Sequence, residues 1–310
     1  MHSYTITMKN ILLAVIASFL TMNAVAQQTN ERYWKGNVEK VRIISYNILN
    51  GFEGGADKDR QARLVEWVRA QDPEVMALQE LCGFTQASLE ALGKQWGHPY
   101  AAIVKENGYP MGITSKKPIE VVNKFVKGYC HGMLHVRTYG FDFLVTHLNP
   151  QTTARRRQEA ARIIEYVKEQ QLTDFMLMGD MNAHSPFDAE YLEHHATRLP
   201  LKYGGESSPN LMEGNYDYST ISTFLSYPLI DVCRKYVAPE NRTSFPTPIL
   251  YDVSKNRSAR QKVEERLDYI FATPAIAKMA VDAFVWKDGV TEYLSDHYPV
   301  GIDLVVENIK

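Results

Sequence analysis

The sequence predicts an α/β protein built on mixed β-sheet, and three observations predict it. Short runs rich in Val, Ile and aromatic residues recur along the chain, bounded by Gly, Pro, Asn or Asp, as buried strands between turns are. Early in the chain these runs alternate with helical segments in a strand–helix–strand rhythm, and in its middle they follow one another as antiparallel hairpins do. Hydrophobic content of 45% against 23% charged residues excludes the disordered and fibrous classes. A length of 310 residues suits one large α/β domain as well as two smaller ones, and no repeat, low-complexity run or linker marks a boundary.

In chain order, strands are expected at Val41–Ile48, Val75–Gln79 and Tyr100–Val104, with helices at Asp57–Ala70 and Thr85–Gln95 between them. Strands at Ile119–Val126, Met133–Arg137 and Phe141–His147 follow as hairpins. A helix at Thr153–Gln170, a strand at Phe175–Met178 and a helix at Phe187–His195 come next. The chain closes with strands at Leu267–Phe271, Val281–Trp286 and Val300–Val305. Residues 199–227 carry many Gly, Ser, Asn and Tyr residues with little periodicity. Such an excursion is either a rim whose Tyr203, Tyr216 and Tyr218 meet a substrate, or a surface loop without a role.

The N-terminus differs from the rest. Met8-Lys9-Asn10 precedes an apolar run from Ile11 through Leu20, and Ala24-Val25-Ala26 supplies the small residues of a cleavage site. Residues 1–26 are therefore expected to be a secretory signal peptide, residues 27–310 a catalytic domain, and the protein periplasmic or extracellular. A transmembrane anchor is disfavoured, because the run is short and broken by Ser18, Thr21 and Asn23. Cleavage removes Lys9 and no acid, so the formal charge moves from -2 to -3. That balance disfavours a broad grip on a polyanionic backbone. Cys82, Cys130 and Cys233 allow one bridge plus a thiol or three buried thiols, and their spacing does not resemble a zinc site.

The expected strand ends share a chemistry. Asn47 closes the first strand, Glu80 the second, His147 and Asn149 follow Phe143-Leu144-Val145-Thr146, and Asp180 and Asn182 follow Phe175-Met176-Leu177-Met178-Gly179. Asp268 opens a later strand, and Asp296 and His297 precede the last one. If the extension persists past Gly179, Asp180 and Asn182 point the same way; the alternative is a strand end followed by an Asx turn. The inventory is four carboxylates, two histidines and three amides, with no thiol. Hard oxygen donors suit Mg²⁺, Mn²⁺ or Ca²⁺ rather than zinc. A cation, a carboxylate-held water and imidazoles equip a site for in-line hydrolysis of a phosphate ester. Any one of these residues has a bland reading as a cap, a turn residue or a satisfied core histidine. Repetition over separate strand ends is not something packing requires.

The motifs Ser45-Tyr46-Asn47-Ile48, Leu78-Gln79-Glu80, Thr146-His147-Leu148-Asn149, Gly179-Asp180-Met181-Asn182, Leu267-Asp268-Tyr269-Ile270 and Ser295-Asp296-His297 occur in the order seen in the endonuclease/exonuclease/phosphatase superfamily, which the chain resembles from about Val41 to Val305. The resemblance implies a four-layer α/β sandwich, two mixed sheets packed face to face with helices outside. It implies Glu80 as principal metal ligand with Asn47 and Asp296 near the metal, and Asp180 holding or deprotonating the attacking water. Asn182 would orient that water or the phosphate, and His297 would donate to the phosphate while Asp268 fixes its tautomer. His147 resembles the additional histidine of the nuclease and sphingomyelinase branches. Tyr109, His131 and Asn149 are candidate substrate contacts. Arg155, Arg156 and Arg157 either steer an anionic substrate or form a solvated helix face.

The expected function is an exported, divalent-metal-dependent phosphohydrolase acting on a small-molecule or lipid-headgroup phosphoester. A nuclease acting on DNA or RNA is the alternative. No covalent intermediate is expected, because no Ser or Cys stands with a base in the constellation. A binding protein that had lost the chemistry would lack Glu80, Asp180 or His297, and all three are present.

Overall fold

The computed structural model describes residues 38–194, 210–212, 215–253 and 264–307. The expected leader, His195 and Tyr203 lie outside the described residues. The chain divides into a unit of residues 41–304 and a small unit of residues 1–40 and 305–310. The large unit carries every element below except the outer ends of the first and last strands.

The strands are β1 (Val38–Asn47), β2 (Val75–Gln79), β3 (Tyr100–Ile103), β4 (Gly112–Ser115), β5 (Glu120–Phe125), β6 (Met133–Thr138) and β7 (Phe141–His147). They continue with β8 (Phe175–Asp180), β9 (Leu211–Met212), β10 (Asn215–Tyr216), β11 (Ile230–Asp231), β12 (Asp268–Ala272), β13 (Ala280–Val285) and β14 (Val300–Glu307). Two six-stranded sheets run β13-β14-β1-β2-β4-β3 and β11-β12-β8-β7-β6-β5, and β9 and β10 form a separate pair. Both large sheets are mixed: β1–β2 and β7–β8 are parallel, whereas β2–β4 and β6–β7 are antiparallel.

Side-chain alternation sorts each strand into two faces. On β1 and β2, Ile44, Tyr46, Met76 and Leu78 join the core of helices α1 (Lys58–Gln71) and α2 (Gln86–Gln95) through Leu64, Val68, Leu89 and Leu92. On β7 and β8, Leu144, Phe175 and Leu177 pack with Ile163 and Val167 of α3 (Thr153–Glu169). Each such large apolar side chain contributes roughly 1.5–3 kcal/mol on burial, so packing outweighs local propensity in placing the helices. The opposite strand faces look at one another, as the 3.1 Å contact from Ser115 Oγ on β4 to Thr138 Oγ1 on β6 shows. Helix, sheet, sheet and helix make the four layers. Among the described residues, no helix is long and apolar enough to cross a membrane.

Helix starts follow capping chemistry. Asp57 accepts from Arg60 N, Thr85 and Ser88 form a capping box, and Thr152 accepts from Arg155 N. The short elements between Ile230 and Val253 and the helix at Pro274–Met279 lie outside the expected set, and three further features depart from it. Gly112–Ser115 is a strand, too short to leave a periodic signal. The excursion before Tyr227 holds the β9–β10 pair and a helix at Ser219–Ser226. Residues 49–54 run with positive φ, a left-handed turn that apolar periodicity does not register. Cys82, Cys130 and Cys233 are all free thiols.

Candidate active site

The strand ends converge. β1 ends at Asn47, β2 at Gln79 with Glu80 next, β7 at His147 and β8 at Asp180, while β12 begins at Asp268. Register sets His147 and Asp268 each opposite Asp180. Alternation then puts Asn47, His147, Asp180 and Asp268 on the faces that meet between the sheets, at one edge, whereas Glu80, of the same parity as Met76 and Leu78, reaches that edge through its positive φ. Gly179 makes the approach possible: its φ is 136°, and a Cβ there would sit 1.9 Å from Thr146 O.

A cavity of about 490 Å³ opens at this edge, lined by Glu80, Tyr109, His131, His147, Asp180, Asn182, Asp296 and His297. Cys130, Pro150, Gln151, Asn210, Phe245 and Leu267 complete the lining. Asn47 and Asp268 stand behind it. Asn47 Nδ2 donates to Glu80 Oε1 at 3.2 Å and to Asp180 Oδ2 at 3.1 Å, joining two acids. Glu80 has φ 60°, and its Oε2 accepts from Asn50 N at 2.8 Å.

Strand β8 ends at Asp180, and Asn182 has φ 48°. Asn182 N donates to Asp180 Oδ1 at 2.9 Å, and Asn182 Nδ2 donates to Leu148 O. The turn, not continued extension, brings Asn182 to the cavity.

Around Asp180, His147 Nε2 lies 3.3 Å and His297 Nε2 3.7 Å from Oδ2. His297 Nδ1 donates to Asp268 Oδ2 at 2.7 Å, which leaves Nε2 for the cavity. Ser244 Oγ donates to the same Oδ2 at 2.7 Å and accepts from Asp268 N at 3.1 Å, so Asp268 is itself held. The His147 ring lies 4.4 Å from that of His131, tilted by 31°, and Tyr109 meets His131 edge-on at 5.5 Å. Phe245 packs on His297 at 4.8 Å.

Burial and neighbouring charge reshape the titrations. Burial raises the Asp180 carboxyl to about 7 and the Asp296 carboxyl to about 6, and for Asp296 the charges of Glu80 and Asp180 add to the rise. Burial lowers His147 to about 4 and His131 to about 3, so both are neutral imidazoles. Burial also disfavours the charged form of His297, but Asp268 and Asp180 outweigh it and hold that imidazole well above its ordinary value. Glu80 is desolvated too, yet the Asn50 N–H, the charged His297 and the Asn47 amide keep it below the ordinary range.

Not every expected residue reaches the cavity. Asn149 Oδ1 accepts from Gln151 N and Thr152 N, so its side chain builds the turn before α3. Tyr216 and Tyr218 pack on Leu192 rather than lining the cavity. Of the three arginines, Arg155 is exposed, Arg157 half-buried and Arg156 buried, and none of them lines the cavity.

The acids present fit a hard divalent cation. Glu80, Asp180 and Asp296 crowd one cavity, and the charges of Glu80 and Asp180 raise the Asp296 carboxyl, a repulsion that a cation would relieve. Asp180, Asp268 and His297 also bring ligand atoms within 4.8 Å of one another. Asp268 Oδ2 and His297 Nδ1 are already bonded to each other, however, so the Glu80–Asp296 side is the better cradle.

A profile of the Endonuclease/Exonuclease/phosphatase family matches residues 44–297. The chain belongs to that family. Its members are metal-dependent phosphoric ester hydrolases, and this chain is one. No curated protein matches it by sequence. Solved structures share its fold. An AP endonuclease from Archaeoglobus fulgidus aligns at 20% identity and TM-score 0.63, covering 87% of this chain and 100% of its own. The 3′ phosphatase NExo from Neisseria, bound to product DNA hairpin, aligns at 19% and 0.60, covering 85% and 99%. An endonuclease/exonuclease/phosphatase family protein from Bacteroides thetaiotaomicron aligns at 18% and 0.55, covering 87% and 99%.

Sequence reading missed Ser244, Phe245 and Asn210 around this family site. Ser244 and Phe245 stand in a loop and Asn210 in a turn, where single residues carry no periodic signature.

Proposed function

We propose that this protein is an exported Mg²⁺-dependent phosphohydrolase that cleaves a small-molecule or lipid-headgroup phosphoester by direct attack of water. One observation carries the substrate class: among the described residues, the cavity is lined by imidazoles, amides, apolar groups and acids, with no Lys or Arg. A polyanionic backbone is normally held by several such cations, whereas a single phosphate needs only the metal and the imidazoles. When bound, the cation supplies charge neutralisation of the phosphate.

The chain's own residues do the rest. Asp180, at the junction of both sheets, holds the attacking water and takes its proton. Asn182 orients the water. His297, kept charged by Asp268, donates from Nε2 to a phosphate oxygen. His147 and His131 present neutral nitrogens to the ester, and Tyr109 closes the exposed side. Glu80, Asn47 and Asp296 would hold the cation.

Two structural neighbours named as an AP endonuclease and a DNA-bound 3′ phosphatase favour nucleic acid as the second reading. Phosphate release or ester cleavage from plasmid DNA, RNA, sphingomyelin, inositol phosphates and nucleotides, with Mg²⁺ and with chelator, separates the two. Turnover of a small or lipid phosphoester abolished by chelator is expected. Turnover confined to polynucleotides would defeat the substrate class, and turnover indifferent to chelator would defeat the mechanism.

A further inference from the structure

Two buried charged clusters lie beneath the cavity, and neither reaches the reacting groups. The first is Arg60 of α1, 2% exposed. Its Nη1 donates to Ile48 O at 2.7 Å and to Leu294 O at 3.0 Å, and its Nη2 donates to Leu49 O at 2.9 Å. Ile48 follows Asn47, and Leu294 precedes Ser295-Asp296. Ser295 Oγ donates to Asn47 O at 2.6 Å, closing the same joint. The left-handed turn at residues 49–54, held at its start by Arg60, is what aims Asn50 N at Glu80.

The second cluster is Glu159 with Arg156 on α3, 4% and 1% exposed. Glu159 spends one oxygen on each of two loops: Oε1 accepts from Cys130 N at 2.5 Å and Oε2 from Asn149 N at 2.7 Å. Arg156 donates to Asn149 O at 3.0 Å and to Asn210 Oδ1 at 2.8 Å. Cys130 precedes His131, and Asn149 follows His147 by two residues. The acid therefore sets the distance between the loops whose imidazoles stack. Burying such groups costs several kcal/mol per charge unless every bond is made, and an apolar side chain would cover the same helix face without that cost.

We propose that the site is built from two separately tethered halves. Arg60 positions the carboxylate half that holds the cation, and Glu159 with Arg156 positions the imidazole half that meets the phosphoester. The proposal rests on the phosphohydrolase reading above.

The test uses the full chain with Arg60→Lys, Ser295→Ala and Glu159→Gln. Mn²⁺ affinity is read by electron paramagnetic resonance, kcat and KM on bis(p-nitrophenyl) phosphate, and the His131 and His147 ring resonances by NMR. Arg60→Lys is expected to weaken Mn²⁺ binding about tenfold or more while the ring resonances stay in place. Ser295→Ala, which removes the hydroxyl's bonds to Asn47 O, Asp296 Oδ1 and the His297 N–H, is expected to act in the same direction and decides that half if Arg60→Lys does not fold. Glu159→Gln is expected to move both ring resonances and lower kcat about tenfold, with Mn²⁺ affinity within about twofold of the parent. Variants that shift metal affinity and ring resonances together, or a Glu159→Gln protein that changes neither resonances nor kcat, overturn the proposal. A parent chain that binds Mn²⁺ but turns over no phosphoester defeats the functional reading instead, since the two binding readouts still report on the halves.

Discussion

Asp180 holds Asn47, His147 and Asn182 around its two oxygens, with His297 just beyond, and Glu80 is tied to it only through Asn47. The two acids should therefore fail differently. Asp180→Asn keeps the shape and the Asn47 contact but cannot take a proton, so kcat should fall by about 10²–10⁴ with Mn²⁺ affinity retained. Glu80→Ala should instead raise the metal concentration needed for half-maximal activity. Near-normal turnover in Asp180→Asn would show that another group activates the water. The residue scale also explains what sequence reading left open at Asn182. Alternation along a strand would have carried it to the cavity only through an extended backbone, and its left-handed φ is invisible in a pattern of apolar and polar letters.

At the scale of elements, the apolar runs told where strands lie, and their polar last residues told where the site lies. What they did not tell is how elements are joined. His98 is an instance: fully buried at the end of α2, it sets Nε2 against Pro73 O and Nδ1 against Thr114 Oγ1, each at 2.7 Å, and so links α2 to β4 and to the turn before β2. Pro73 O only accepts, so Nε2 carries the proton and Nδ1 accepts the Thr114 hydroxyl. Burial lowers this imidazole to about 4 from its ordinary 6.5. The unfolded chain thus takes up the proton first. The contribution is complete above about pH 6.5 and is lost as pH falls towards 4. Urea unfolding of the parent and of His98→Gln should show the stability gap between them narrow by about 2 kcal/mol from pH 7 to pH 5. A gap that does not change with pH would mean that His98 takes up its proton equally in the folded and unfolded chains. The opposing rise of Asp180 and Asp296 is common to both proteins and cancels in the comparison.

For the whole molecule, the N-terminal pattern carries the expectation of export, and it is tested directly. Expression in a Gram-negative host followed by mass spectrometry of the protein should find Gln27 as the first residue outside the cytoplasm. Retention inside the cell with residues 1–26 attached would remove export from the proposal.

The sequence by itself determined the family, the mixed α/β class and the chemistry at the strand ends, because burial imposes a local period on strands and because the acids, amides and histidines that break it stand at fixed places in the chain. Only the tertiary structure decided which of those residues share a cavity, that Asn149 builds a turn rather than lining it, that Phe245 completes it while Ser244 holds Asp268 behind it, and that Arg60 and Glu159 fasten its two sides. Those facts depend on contacts between residues up to a few hundred positions apart, and no local pattern of letters records which distant backbone a buried charge will hold.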